Sequence, residues 1–566
     1  MRSLELLLLI ISSVAPAYPQ NVLTQHNDPA RTGADLGETQ LTPATVRSSF
    51  GKLFSLPVDG QIYAQPLVVN GVDIPGKGAH NVVYVATMMD TVYAFDADHP
   101  DEDCPLWKRN LGRPIPYKLI PWNWGTLLGQ YNIKPFIGIT STPVIDPSAA
   151  RIWVVAKIMI SEEDLRYYLY CLDIRTGAVL GTSQPIESGD GDDKLQAQTA
   201  LQRPGLLRAN GLVYAAFGSH QDGGFYHGWV VALDEDTLEQ KFVFCTTPGD
   251  KDGEGGIWQA GNGPAADTQG NLYVMTGNGA FDANHELVNP KYGSSFIRLT
   301  GQLKVHDWFT PSNYKRLSHD DVDIGSSGPM LLPNSNQLVG GGKQGWFYLL
   351  NRDDMGKLQP NHSVSPALQI FHVSNHWTLT WISWLLPVFG YHHIHGGPVY
   401  WNSADRGPLV FIWPEETPLK AYAYDPVKHF RKKPVMTGPK APPGMPGGFL
   451  SISANGNRDG LVWATTPLNQ DALVQVVRGT LRVFDANTLE ELWSTDKKTP
   501  EDIFSFAKNC PPTIANGKVY LATFSDKLNV YGLVPRAAAL PSWTTSGKPI
   551  KKGKGHGRPQ KRPRDP

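Results

Sequence analysis

Short apolar runs rich in Val, Ile, Leu, Tyr and Trp recur along nearly the whole chain, each bounded by Asn, Asp, Gly or Pro. Runs of this length between such boundaries predict β-strands. They also come in a fixed order. Each unit opens on a Pro and a small apolar run, meets an Asn/Asp/Gly turn, continues as a strand often ending in Ala-Thr or Thr-Gly, and then gives an apolar strand closed by Asp. The first unit has Gln65-Pro66-Leu-Val-Val-Asn70-Gly71, then Val82-Val-Tyr-Val-Ala-Thr87, Val92-Tyr-Ala-Phe-Asp96 and Pro105-Leu-Trp-Lys-Arg109, which makes four strands. Later units start at Pro143, Pro204, Pro264, Pro329, Pro398, Phe449 and Pro512, a spacing of roughly 64 residues that suits a four-stranded blade with generous loops. The pattern predicts an all-β chain, an eight-bladed β-propeller of four-stranded antiparallel blades over residues 50–533.

The last unit stops one strand short. Pro512-Thr-Ile-Ala, Val519-Tyr-Leu-Ala-Thr523 and Leu528-Asn-Val-Tyr531 supply three strands before the pattern ends at Leu533. Phe50-Gly-Lys-Leu-Phe-Ser-Leu-Pro57 resembles the fourth strands of other units, such as Leu489-Glu-Glu-Leu-Trp-Ser494. An N-terminal strand pairing with the last blade therefore closes the ring and removes an edge that would invite aggregation.

Composition changes this picture at the ends. Gly 56, Pro 46 and 10% aromatic residues favour many short strands and turns. Arg2, the apolar run Leu6 to Ile11 and Ala15-Pro-Ala17 read as a cleaved signal peptide over residues 1–17, too short to span a bilayer, followed by an N-terminal extension over 18–49. The expected location is extracellular, or periplasmic in a bacterium, with no transmembrane segment. From Gly547 to Pro566 eight Lys/Arg face the single acid Asp565, leaving a net −8 on the rest of a chain of net charge −1. Residues 534–566 are expected to be a disordered basic tail, either a tether to an anionic surface or a solubilising segment, and the export signal argues against nucleic acid. Cys104, Cys171, Cys245 and Cys510 are widely spaced. Zinc clusters and c-type haem are unsupported, and disulfides and buried thiols both stay open.

The units Val92-Tyr-Ala-Phe-Asp96 and Leu481-Arg-Val-Phe-Asp-Ala-Asn-Thr-Leu-Glu-Glu-Leu-Trp493 resemble pyrroloquinoline quinone (PQQ) repeats. Gln25-His-Asn-Asp28, Ala30-Arg-Thr-Gly33, Gly138-Ile-Thr-Ser-Thr-Pro143, His395-Gly-Gly-Pro398 and Cys510-Pro-Pro512 are similar to a branch of secreted PQQ-repeat-like proteins of uncharacterised activity within the quinoprotein alcohol dehydrogenase-like superfamily. The resemblance implies the eight-bladed fold, and PQQ with calcium as cofactors in catalytic members. Those enzymes normally add a vicinal disulfide and a Trp-x-Asp blade motif, and neither occurs in this sequence. Two Trp-, Leu- and Pro-rich segments, Arg113 to Phe136 and His372 to His393, break the repeat. Both join one blade's last strand to the next blade's first, and read as lids on the entrance face or as insertions foreign to the family.

Residues just ahead of each innermost strand converge on a propeller's channel. These are Gln65, Thr142, Arg203, Gln259, Asn262, Ser327, His395 and Asn509, with Ser326 and Lys508 beside them. The set is polar and hydrogen-bonding, suited to a sugar, a quinone carboxylate or another polar ligand. Arg203 can grip a carboxylate bidentately or bridge two blades. Lys343, after three glycines, reads as a turn residue with anion contact second, since the phosphate-loop spacing is absent. His220 and His227 occupy one loop, and His392, His393 and His395 another; without a third ligand they read as loop residues, so no metal site is expected. No catalytic residue is nominated. The leading expectation is a binding module for a polar small molecule or polysaccharide. The alternative is a PQQ-dependent oxidoreductase acting on an alcohol or sugar.

Overall fold

In the repeated units, period-two runs pair edge to edge because a β-branched strand buried on both faces has nowhere else to satisfy its backbone. The computed structural model describes residues 20–534 apart from 100–103, 122–126, 190, 286, 360, 362–365, 375–391, 441–443 and 498–502. The expected signal peptide and basic tail lie outside the described residues, the tail from residue 535 onward.

Eight antiparallel sheets follow one another around the ring. The first blade is Leu67–Ile74, Gly78–Ala86, Thr91–Asp96 and Trp107–Asn110, and the second is Val144–Asp146, Arg151–Met159, Leu165–Asp173 and Val179–Thr182. The remaining blades begin at Leu207, Ala265, Met330, Val399, Phe449 and Thr513. The last is completed by Phe50–Pro57, which pairs antiparallel with Lys527–Leu533 from Phe50 opposite Leu533 to Pro57 opposite Lys527, with a bulge between Lys52 and Phe54. The predicted closure is the observed one. Among the described residues no helix is long and apolar enough to cross a membrane.

Neighbouring blades are tied by one recurring device. A buried aromatic donor on one blade bonds a turn carbonyl of the next: Trp107 Nε1 and Tyr84 Oη to Ile174 O (2.8 and 2.9 Å), Trp153 Nε1 to Glu235 O (3.0 Å), Tyr214 Oη to Gly301 O (2.8 Å) and Trp401 Nε1 to Gly456 O (3.0 Å). The receiving turn must stay small. Gly177, at φ +66°, sits where any Cβ would strike the Trp107 indole, which explains the glycine of the Asp-x-x-Thr-Gly turn.

The N-terminal segment is part of the ring's hub. Val22 pairs with Val68 of the first blade, and Leu23 O accepts from Ile145 N of the second. Arg31 bonds Leu206 O of the third and Pro264 O ahead of the fourth. Pro29, Ala30, Thr32 and Gly33 carbonyls accept from Ala266, Leu331, Tyr400 and Ile452 of blades four to seven, and Glu38 Oε2 accepts from Gly517 N of the eighth. One irregular segment thus touches all eight blades, pairing its backbone with six of them and reaching the third and eighth through the Arg31 and Glu38 side chains. Arg31 is fully buried and makes no ion pair among the described residues. Its Nε bonds Pro264 O (2.9 Å), its Nη1 bonds Thr24 Oγ1 (2.9 Å) and Gln25 O (2.7 Å), and its Nη2 bonds Leu206 O (3.1 Å).

Burial also sets how stability responds to pH. Desolvation lowers the ammonium groups of Lys157 and Lys508 to about 7 and Lys420 to about 8. Near pH 7 this is offset by the Asp35, Glu254 and Glu415 carboxyls, which burial raises to about 7. Once they have ionised, above about pH 8, the unfolded chain binds more protons than the folded one through the lysines, so stability rises with pH. The window closes near pH 9, because burial pushes the Cys171 and Cys245 thiols up to about 11 and 12, an effect of opposite sign. The melting temperature is expected to rise between about pH 8 and 9. Lys157→Met should raise stability at pH 7 by roughly 1–3 kcal/mol and flatten that rise, and an unaltered pH dependence in this variant would contradict the account. All four cysteines are free thiols, with Cys104 exposed.

Candidate functional site

A cavity of about 440 Å³ opens where the chain enters the innermost strands. Of the residues expected at the channel mouth, Arg203, His220, Lys343, His395 and Asn509 line it, as do Ser326 and Lys508. Ile120, Gln130, Asn132 and Ile133 of the first irregular segment form part of its wall. Of the second segment the described His393 also lines it, and residues 375–391 lie outside the described residues.

The other five expected residues are buried away from the cavity lining. Gln65 Oε1 accepts from His26 N (3.0 Å), and Thr142 Oγ1 bonds both Gln65 N (2.8 Å) and Gln25 Oε1. Gln259 Nε2 donates to Gly263 O (2.7 Å), Asn262 Oδ1 accepts from Gly263 N (2.8 Å), and Ser327 Oγ donates to Gly341 O (2.6 Å). These side chains hold the N-terminal hub and their own turns.

Electrostatics divide the cavity. On one side stand carboxylates that sequence spacing did not single out: Asp222, Asp321 and Asp323. Lys343 reaches Asp323 Oδ2 at 2.7 Å and Asp321 Oδ1 at 3.0 Å. Asp323 Oδ1 accepts from Trp258 Nε1 (3.0 Å) and Asn278 N (2.9 Å). Burial works against the Asp323 charge, but Lys343 and these donors hold it below the usual carboxylate range. Asp222, whose Oδ1 accepts from Tyr226 Oη at 2.5 Å, lines the cavity and is itself exposed at its mouth. Desolvation first, and the Asp323 charge second, push it up to about 6.

The cavity is also lined by Arg203 and Lys508, which make no ion pair with a carboxylate among the described residues, although the Asp323 and Asp222 charges act on Arg203. Arg203 spends Nε on Trp258 O (3.2 Å) and lies 5.6 Å from the indole centroid, and its terminal nitrogens make no hydrogen bond among the described residues. Burial lowers it to about 10. Lys508 Nζ donates to Ala472 O (3.1 Å) and Leu473 O (2.5 Å). His220 Nε2 lies 2.7 Å from Lys157 Nζ, which also donates to Ala200 O (3.1 Å). Desolvation and the nearby Lys157 drive the imidazole well below its ordinary value, so it stays neutral. His227 has partners of its own, Thr247 Oγ1 at 2.9 Å and Asp193 Oδ1 at 3.2 Å, and does not line the cavity.

A third group joins two distant segments. His393 and His395 meet Glu415, from the turn between the second and third strands of blade six, with Nε2 of His395 3.1 Å from Oε1 and Nδ1 of His393 3.6 Å from Oε2. Burial lowers the imidazoles to about 4 and about 3 and raises Glu415 to about 7. The sequence reading had the histidines and lacked their third partner, which is twenty residues further on in a turn with no motif.

No protein-family model matches the chain, and no curated protein matches it in sequence. Solved structures do match in shape. A quinohemoprotein alcohol dehydrogenase of Pseudomonas putida is similar at a TM-score of 0.60 and 15% identity, over 92% of this chain and 82% of its own. The quinohemoprotein alcohol dehydrogenase of Comamonas testosteroni gives 0.57 and 15%, over 94% and 83%. A europium-containing methanol dehydrogenase gives 0.54 and 13%, over 91% and 98%. The chain has an eight-bladed propeller fold similar to that of these quinoprotein dehydrogenases. At these identities the likeness defines the fold, and the chemistry rests on the cavity.

Proposed function

We propose that the protein is a quinone-dependent oxidoreductase acting on an alcohol or sugar hydroxyl in this cavity. The observation that carries the reading is the meeting, in one cavity, of Arg203 and Lys508, which make no carboxylate ion pair among the described residues, with the Asp222 carboxyl, raised to about 6. PQQ is a flat ortho-quinone bearing three carboxylates. Arg203 and Lys508 fit such groups as charge-assisted donors, and Trp258 offers an aromatic wall. A calcium ion fits less well, because Asp222, Asp321 and Asp323 do not bring three ligand atoms together among the described residues.

When bound, a quinone supplies the two-electron oxidation of the substrate. The chain's own residues handle the proton. Asp222, pushed up to about 6, matches a general base working near neutral pH and is placed to take the hydroxyl proton. Asp323, fixed by Lys343, Trp258 and Asn278, gives a constant negative field beside it. The neighbouring structures, named as alcohol and methanol dehydrogenases, support this class of reaction. The same cations support a plainer role as a receptor for a polar anionic ligand.

The test is a titration of the full-length protein with PQQ, with and without calcium, followed by tryptophan fluorescence and by dye reduction with alcohols and aldoses. Saturable quenching with turnover is expected, and Arg203→Ala should weaken PQQ binding about tenfold or more. Asp222→Asn should abolish turnover while leaving PQQ affinity within about threefold. Binding without turnover would leave the receptor, and absence of PQQ binding would overturn the enzyme reading.

A further inference from the structure

We infer that His393, His395 and Glu415 form a binding site for a divalent transition-metal ion on the wall of the cavity. One ligand atom from each of the three lies within 4.8 Å of the others. Two imidazoles and one carboxylate form a donor set suited to zinc or another borderline first-row ion and poorly suited to calcium, which takes oxygen ligands.

The second observation concerns unspent hydrogen-bonding capacity. Nδ1 of His393, Nε2 of His395 and Oε1 of Glu415 are buried and have no hydrogen-bond partner among the described residues. Glu415 itself is 6% exposed. Such atoms are normally paired, since leaving them bare in a protein interior is unfavourable. Here Nε2 of His395 lies 3.1 Å from Oε1, and Nδ1 of His393 lies 3.6 Å from Oε2 of the same carboxylate, in neither case with hydrogen-bond geometry. Two ligands each about 2.1 Å from a tetrahedral zinc ion stand about 3.4 Å apart. The 3.1 and 3.6 Å separations bracket that value, and all three donors lie within 4.8 Å of one another.

The backbone fixes this arrangement. Glu415 N donates to His393 O at 3.0 Å, and His393 N donates to Glu415 Oε2 at 3.3 Å, clipping the two segments together. His393 and His395 line the cavity whereas Glu415 does not. A metal ion with three protein ligands would therefore turn its remaining coordination positions toward the cavity, where an oxygen of the polar ligand can reach it. Among more distant charges, Lys343 and Arg203 oppose a cation near His395, and Asp323 and Asp471 favour one.

The experiment uses full-length protein without a histidine tag, stripped by chelator and titrated with Zn(II) against a chromophoric competitor, then with Co(II). One equivalent should bind, with the visible d–d absorption of a low-coordinate Co(II) ion and a rise in melting temperature. Glu415→Gln, which keeps the shape of the side chain, and His395→Ala should each lower zinc affinity at least tenfold. His227→Asn, outside the group, should leave it unchanged. Circular dichroism melts of the metal-free variants separate lost binding from lost folding. Zinc affinity unaltered in Glu415→Gln, or no stoichiometric binding by the folded parent, would overturn the site.

Discussion

Deletion of residues 50–57 is expected to leave no soluble monomer, whereas truncation after Val534 should leave the melting temperature of the ring within a few degrees of the parent. The strand Phe50–Pro57 covers the whole outer edge of Lys527–Leu533. Without it a flat row of backbone donors and acceptors is exposed, the feature that natural sheets hide to avoid edge-to-edge association. The side chains matter as much. The Phe50 ring stands 5.2 Å from Trp463, 4.9 Å from Trp493 and 6.3 Å from Tyr531, joining blade seven to blade eight, and Leu56 is fully buried. Each such side chain contributes about 1.5–3 kcal/mol through burial, and each lost strand hydrogen bond about 1 kcal/mol. Together these are comparable with the net stability of a whole domain, about 5–15 kcal/mol. Size-exclusion chromatography and calorimetry check both arms. Phe50→Ala offers a milder version, expected to destabilise by about 3–5 kcal/mol. A soluble, monomeric, cooperatively melting deletion variant would show that the ring does not need this closure.

Arg31→Ala is expected to destabilise the protein by roughly 4 kcal/mol or more, although Arg31 lies in a segment with no strand pattern. The guanidinium is solvated by the carbonyls of Gln25, Leu206 and Pro264 and by the Thr24 hydroxyl. Removing it strands these oxygens where water cannot replace the donor, and cuts the N-terminal hub from blades three and four. Arg31→Lys keeps the charge but presents one ammonium in place of a planar fork, so it should recover only part of the loss. Denaturant midpoints measure the series. A change below about 1 kcal/mol for Arg31→Ala would mean that the hub is not a stabilising element.

These two expectations differ in how readable they were. The closing strand could be inferred from the chain, because Phe50 to Pro57 carries the same local pattern as other fourth strands and the eighth unit was visibly incomplete. Arg31 could be seen only as part of a motif, Ala30-Arg-Thr-Gly33, since four hydrogen bonds to residues up to 233 positions away leave no periodic trace. The channel-mouth rule had mixed results for a related reason. Position ahead of the innermost strand brought Arg203, His395 and Asn509 to the cavity, whereas Gln65 and Thr142, at equivalent positions, turn to the hub that fills their part of the channel.

The sequence by itself determined the number of blades, the order of their strands and the way the ring closes. All three follow from period-two apolar runs and turn residues, which act over a few neighbours. Tertiary structure alone decided the site. It set Asp222 against Asp323 and Lys343, put Arg203 and Lys508 in the same cavity with no carboxylate ion pair among the described residues, and brought Glu415 to His393 and His395. Charge, desolvation and ligand geometry act through space between residues far apart in the chain, so no local pattern encodes them.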